Sequence, residues 1–212
     1  MMTFIPLLAI NRHRILQDGD GVFTLVASAN CPLACPYCIN KEVLASGKSS
    51  FVTPEELYEK VKIDNLYFLA TNGGITFGGG EPLLYPDFIR AFAELVDKTW
   101  HINIETSLHV PAESLSKLFG LVDRYYVDIK DCNPEIYRNY TGKDNAGVME
   151  NLKLLLKAEG KEKVTIRVPL IKGYNTPTDV DRSVDTLKEI GFDTFDCFTY
   201  LLPEELESRT QT

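Results

Sequence analysis

Histidine is scarce in this chain: His13, His101 and His109 are the whole set in 212 residues. The five cysteines include no second Cys-x2–4-Cys pair, so the paired-knuckle kind of structural zinc site lacks its ligands. A signal peptide is missing as well. The apolar run 1–10 meets its first charges, Arg12 and Arg14, after it rather than before it, and it is too short to span a bilayer. It reads as a first strand or a packing arm, and the protein is expected in the cytoplasm, with no membrane partner. No Lys/Arg cluster stands out, and the formal charge is -8, from 22 basic against 30 acidic residues. Sequence-independent nucleic-acid binding rests on phosphate neutralisation, so no nucleic-acid partner is expected. Linkers, low-complexity tracts and repeats are absent from the sequence, which implies one domain over residues 1–212.

What the chain does have is a cysteine-rich loop. Cys31, Cys35 and Cys38 follow one another at C-x3-C-x2-C spacing, directly after the apolar run Val22–Ser28. In a reducing compartment such cysteines point to metal or catalysis rather than to disulfides. Thiolates are soft ligands that suit zinc, copper(I) or iron–sulfur iron. Three of them on one loop can hold three corners of a cubic cluster and leave the fourth iron open.

The rest of the chain alternates. Strand-like runs lie at 22–28, 74–77, 101–106, 124–130, 164–170 and 195–201, and helical spacing lies between them. Thr53, Pro54 and Glu56 form a helix start with a capping box. Pro86 opens a second helix, and further helices are expected over 111–121, 148–158 and 178–190. Six strands separated by helices imply parallel pairing through right-handed crossovers. A complete eight-unit barrel usually needs about 250 residues, so the expectation is an α/β fold, a partial (β/α)6 barrel with parallel strands.

In such folds functional residues collect at the C-terminal ends of strands. Here those ends carry the cysteine loop, the turn Gly78-Gly79-Gly80-Glu81-Pro82, the pair Glu105-Thr106, then Asp128 and Lys130, with Arg167 inside the fifth strand. Taken alone, the glycine run is a tight strand-to-helix turn. Glycine permits positive φ and close backbone approach to a ligand, and Glu81 adds an acceptor for an ammonium group.

The cysteine spacing, with Tyr37 just before the last cysteine, resembles the signature of the radical S-adenosylmethionine (SAM) superfamily, and the Gly-Gly-Glu turn resembles that family's SAM-binding motif. Most of the chain is similar to the glycyl-radical-enzyme activating enzymes, such as pyruvate formate-lyase activating enzyme. The stretch 18–21 is like a degraded Asp-Gly-Pro-Gly segment, and Cys38-Ile39-Asn40 stands where that group commonly has Cys-His-Asn. Glu105-Thr106 takes the place of an Asp-Thr pair, 126–130 matches a strand ending Asp-Leu-Lys, and 166–169 resembles an Ile-Arg strand.

The resemblance implies a [4Fe-4S] cluster on Cys31, Cys35 and Cys38, with SAM on the open iron. It implies Tyr37 and Ile39 beside the adenine, and Gly79, Gly80 and Glu81 on the methionine amine. Asp128 and Lys130 would lie near the ribose and carboxylate, Glu105 with Thr106 on the ribose or a cation, and Arg167 on the SAM carboxylate. The activity implied is reductive cleavage of SAM to a 5′-deoxyadenosyl radical. That radical would take hydrogen from a glycine of a partner enzyme, with flavodoxin or ferredoxin as electron donor.

The departures bear on the substrate. Phe23 replaces an arginine, Asn30 a frequent glycine, and no histidine matches one expected near SAM on the last strand. A small-molecule or nucleoside-type substrate, or a non-catalytic metal-binding module, are the alternatives. For single residues the plainer expectations are ion pairs at Asp128, Lys130 and Arg167, and packing at Trp100, Tyr125, Tyr126, Tyr137 and Tyr140. Cys132 reads as a small buried hydrophobe and Cys197 as core.

Overall fold

The computed structural model describes residues 3–200. Its strands are β1 (Ile5–Ile15), β2 (Val22–Ser28), β3 (Ser50–Val52), β4 (Gly74–Gly79), β5 (His101–Thr106), β6 (Arg124–Asp128), β7 (Val164–Leu170) and β8 (Phe195–Thr199). Its helices are α1 (Lys41–Ala45), α2 (Pro54–Val61), α3 (Asn65–Thr71), α4 (Pro86–Leu95), α5 (Ala112–Ser116), α6 (Pro134–Thr141), α7 (Ala146–Glu159) and α8 (Pro177–Ile190). The strands form one eight-stranded sheet in the order β3-β1-β2-β4-β5-β6-β7-β8. From β2 to β8 every pairing is parallel, which makes a mixed α/β fold with six parallel strands in chain order.

The apolar run 1–10, expected as a first strand or a packing arm, leads into β1, which extends to Ile15, whereas the edge strand β3 was not expected. β1 pairs antiparallel with β2, and β3 pairs antiparallel with β1 at the edge. The second half of β1 alternates half-buried and exposed residues, so its polar run Asn11-Arg12-His13-Arg14 belongs to a ribbon that is wet on one side. The helix expected over 111–121 stops at Ser116 and gives way to turns, with Gly120 at φ 76°. Helix α6 had no counterpart in the sequence reading, although Asn133 caps it, Pro134 opens it and left-handed Gly142 ends it. The capping box of Thr53 and Glu56 is present, and Thr176 with Asp179 forms another at α8.

Side chains alternate across the parallel strands. Ile75, Phe77, Ile102, Ile104, Tyr125, Val127, Ile166 and Val168 enter the apolar core with the inner sides of α4 and α7. Phe77 meets Phe92 edge-on at 5.5 Å and Phe88 at 6.5 Å between ring centres; truncating such a buried ring costs about 3–5 kcal/mol. The alternate positions, Thr76, Asn103, Glu105, Tyr126, Asp128 and Arg167, are polar or amphipathic and occupy the other face. Trp100, Tyr125, Tyr126, Tyr137 and Tyr140 are buried, as packing residues should be. Cys132 is half-buried, packs against the core, and gives its thiol to Ser183 O at 3.7 Å. Cys197 is not core: β8 is the last strand of the sheet, and the side chain stands exposed. No helix among the described residues is long and apolar enough to cross a membrane.

Candidate active site at the strand ends

The cysteine loop leaves β2 and runs back against the turn that follows β4. Gly80 N donates to Ser28 O at 2.8 Å, and Glu81 N donates to Asn30 O at 2.8 Å. Asn40, two residues past Cys38, sends its Nδ2 to Gly79 O at 2.8 Å. The approach is so close that a Cβ on Gly80 would lie 2.1 Å from Asn30 O. Gly79 adopts φ 91°, a conformation that favours glycine. Asn30 sits at φ 69°, where asparagine is among the few residues that stand in for glycine. Its Nδ2 is held by Tyr85 Oη at 2.6 Å, and that hydroxyl donates to Ala29 O at 3.2 Å. The far side of the loop is pinned by Ala34 N to Thr141 O of α6.

Cys31 is exposed at the loop's start, and Cys35 and Cys38 are half-buried. Burial pushes the Cys31 thiol up to about 11 and raises Cys35 too, although the charge of Lys130 works the other way at Cys35. The Cys31 and Cys35 thiols thus hold their protons, which a metal that binds them must displace. Among the described residues no three His, Cys, Asp or Glu side chains gather around one point as ligands of a single ion. A cluster takes one thiolate per iron, and three soft donors spread along an exposed loop fit that demand.

Glu81 is 1% exposed, and the protein supplies its carboxylate with four donors. Thr106 Oγ1 (2.7 Å) and Leu83 N (3.2 Å) reach Oε1, while Ser107 N (2.9 Å) and Ser107 Oγ (2.7 Å) reach Oε2. A carboxylate has about four acceptor positions, so none remains for the ammonium group expected from the sequence. Burial raises its pKa, opposed by these same hydrogen bonds. Thr106 is thus brought to Glu81. Ser107 was not anticipated, and a serine after a strand carries no signal of such a role.

At the end of β6, Lys130 is buried, 3.0 Å from Tyr200 Oη and 3.9 Å from Asp128. Burial opposes its charge, yet Asp128 and Tyr200 outweigh it and hold its pKa well above the ordinary lysine value. Tyr37 packs edge-on to Tyr174 at 5.7 Å and lies 6.3 Å from Tyr140, while Ile39 is 90% exposed. Deeper on the same sheet face, Glu105 accepts from both Arg14 and Arg167 at 3.0 Å. Burial works against its charge, but Arg167 and Arg14 prevail and its pKa is lowered. Arg167 also covers the Tyr126 ring at 4.7 Å and donates to Gln17 O. Glu105 and Arg167 therefore meet each other, with Arg14, which the sequence reading did not place at the site, completing the group.

A family model described as the Radical SAM superfamily matches residues 25–187. Among curated proteins the chain is 29% identical over 159 residues to the indoleacetate decarboxylase activating enzyme of Tractidigestivibacter scatoligenes, covering 71% of this chain and 49% of that protein. It is 26% identical to the benzylsuccinate synthase activating enzyme of Thauera aromatica, over 86% of this chain and 74% of the relative. Among solved structures, Streptococcus suis SuiB bound to precursor peptide SuiA superposes with a TM-score of 0.66 at 14% identity, over 84% of this chain and 38% of that one. The chain thus spans about half the length of the first of these relatives.

Proposed function

Starting from the fact that the chain belongs to the radical SAM superfamily, we propose that it is a radical SAM oxidoreductase of the activating-enzyme kind, abstracting hydrogen from a glycine of a partner enzyme. The observation that carries this reading is the three-bond seam between the cysteine loop and the glycine turn, which sets a soft trithiolate donor group beside a backbone cradle. Cys31, Cys35 and Cys38 would hold the [4Fe-4S] cluster. When bound, the cluster supplies one electron, and SAM supplies the 5′-deoxyadenosyl radical that removes the hydrogen atom.

The chain's own residues bind and orient. Gly79 and Gly80 present backbone to the methionine amine, with Glu81 holding their turn from beneath through Thr106 and Ser107. Lys130, kept charged by Asp128 and Tyr200, faces the SAM carboxylate, and Asp128 the ribose. Tyr37, backed by Tyr174 and Tyr140, and Ile39 flank the adenine. Arg167 and Glu105 close the floor as an ion pair rather than each seizing a part of SAM. The fold reading that goes with this is an incomplete (β/α)6 barrel, one radical SAM core domain over residues 1–212. Flavodoxin or ferredoxin would be the electron donor.

The test uses anaerobically reconstituted, reduced protein with SAM and a peptide bearing a partner's glycine loop. Deoxyadenosine release should be slow without the peptide and faster with it. With the glycine α-deuterated, label should enter deoxyadenosine. Fast, fully coupled turnover of a small metabolite with no peptide present would defeat the activating-enzyme reading in favour of a small-molecule substrate.

A further inference from the structure

The chain just before Cys31 is tied to the segment 80–85 one residue after another. Gly80 N donates to Ser28 O and Glu81 N to Asn30 O, each at 2.8 Å. Between them, the Tyr85 hydroxyl donates to Ala29 O at 3.2 Å. The other two cysteines are steadied from elsewhere: Ala34 N, beside Cys35, donates to Thr141 O, and Asn40, past Cys38, reaches Gly79 O. Cys31 is the exposed member of the triplet, and its end of the loop is held by the bonds of Ser28, Ala29 and Asn30.

Tyr85 both takes and gives in this ladder. Its oxygen accepts from Asn30 Nδ2 at 2.6 Å while its proton goes to Ala29 O. It is itself well rooted. Its N–H donates to Pro82 O at 2.9 Å, its carbonyl accepts from Ile89 N at 3.1 Å as α4 begins, and its ring packs against the apolar core. The two ends of the bridge differ in weight. Ala29 is buried and Asn30 exposed; a buried carbonyl that loses its donor costs more than an amide that can turn to water. The left-handed φ of 69° at Asn30 suits glycine as well as asparagine. The backbone course alone therefore does not call for the amide; the bond to Tyr85 does.

We propose that Asn30 and Tyr85 are positioning residues for Cys31, bridging the start of the cysteine loop to the exit of the glycine turn so that this ligand keeps a constant offset from Gly79 and Gly80. The inference rests on the assignment of the cluster to Cys31, Cys35 and Cys38 made above. Neither residue touches the cluster or SAM in this role; both act through the backbone of residues 29–31. Their contribution is to retention of the cluster at the exposed end of the loop.

Two variants test it. Asn30→Gly keeps the backbone conformation and removes the amide, while Tyr85→Phe keeps the ring and removes the hydroxyl. The first measurement is the rate at which the reconstituted full chain loses iron to excess bathophenanthroline disulfonate. Tyr85→Phe should lose iron roughly fivefold faster than the native chain, the weight of one hydrogen bond. Asn30→Gly should show a smaller increase, and the double variant should be no faster than Tyr85→Phe, because the amide acts through the hydroxyl. The second measurement is amide hydrogen exchange in the cluster-free chain. Exchange at Glu81, whose N–H is held by Asn30 O, should quicken in step, while Ala34, pinned on the far side, exchanges as before. Native iron loss in both variants overturns the proposal. So does an equal quickening at Glu81 and Ala34, which marks a general loss of stability instead. Should the native chain take up no cluster, the function proposed above falls, and exchange at Glu81 still decides whether the bridge holds this end of the loop.

Discussion

Ser107 gives Glu81 two hydrogen bonds, from its backbone N–H and its hydroxyl, both to Oε2. The next residue, Leu108, is held at φ 56°, an unfavourable region for a branched side chain that costs on the order of 1–3 kcal/mol. Asn151 of α7 pays that conformation back in part by donating to Leu108 O at 3.0 Å. The end of β5 is thus bent onto the glycine turn, and Glu81 is the bolt between them.

Replacing Glu81 with Ala should therefore act on the fold as well as on SAM. Buried Thr106 and half-buried Ser107 lose the acceptor for their donors, which costs on the order of 3 kcal/mol. Urea denaturation should show the loss of stability, and SAM titration a weaker affinity in the same variant. A SAM defect with an unchanged denaturation midpoint would instead put the carboxylate on SAM itself.

For the cluster, Ala at Cys31, Cys35 or Cys38 should remove the SAM-perturbed [4Fe-4S] signal in electron paramagnetic resonance, because a ligand thiolate disappears. Cys197→Ala, at an exposed edge position, should retain it. Because the Cys31 thiol titrates only near 11, iron uptake by the empty protein should quicken as pH rises across the neutral range. Full iron content in Cys31→Ala would refute the ligand assignment.

Asn40 offers a cleaner separation of binding from assembly. Its loss to Ala removes one hydrogen bond to Gly79 O, about 1 kcal/mol, so SAM affinity should fall by roughly fivefold while iron content stays native. Asp at the same position places an acceptor against the carbonyl and should be worse. Native SAM affinity in both variants would show that the seam does not position the glycine turn.

Asp18 has a pH consequence whose sign can be worked out. Its carboxyl titrates near 6 in the folded chain against 3.8 ordinarily, so the folded state holds the proton more tightly. Stability from this group is present below about pH 4 and lost as pH rises towards 6. The melting temperature of Asp18→Asn relative to the native chain should thus climb between about pH 4 and 6 and level off above. A pH-independent difference would contradict the raised pKa of this buried carboxylate.

The parallel strands were readable because each is a run of β-branched and aromatic residues closed by a turn, as at Val164–Leu170 before Asn175 and Pro177. The short antiparallel edge strand β3 was not. β3 has three residues, two of them exposed, too few to show a period. Cys197 misled for a related reason: Phe195-Asp196-Cys197-Phe198 reads as an apolar strand, but position in the sheet, not composition, decides what covers it. At the site, the cysteines and the glycine run announce themselves by spacing. The pairing of Glu105 with Arg167 and Arg14 depends on strand register across 62 and 91 residues, which no local pattern carries.

The contact of Gly80 with Asn30 has a further consequence for how such a protein can diversify. Since backbone meets backbone there, with no room for even a methyl group, the offset between the cysteine loop and the glycine turn is not adjustable by exchanging side chains. Any insertion that altered it would have to move β2 and β4 together. New specificities are consequently confined to the β6–β8 side of the mouth, where Lys130 reaches Asp128 and Tyr200, and Tyr140 packs on Tyr174 and Tyr200, through side chains that can be exchanged one at a time.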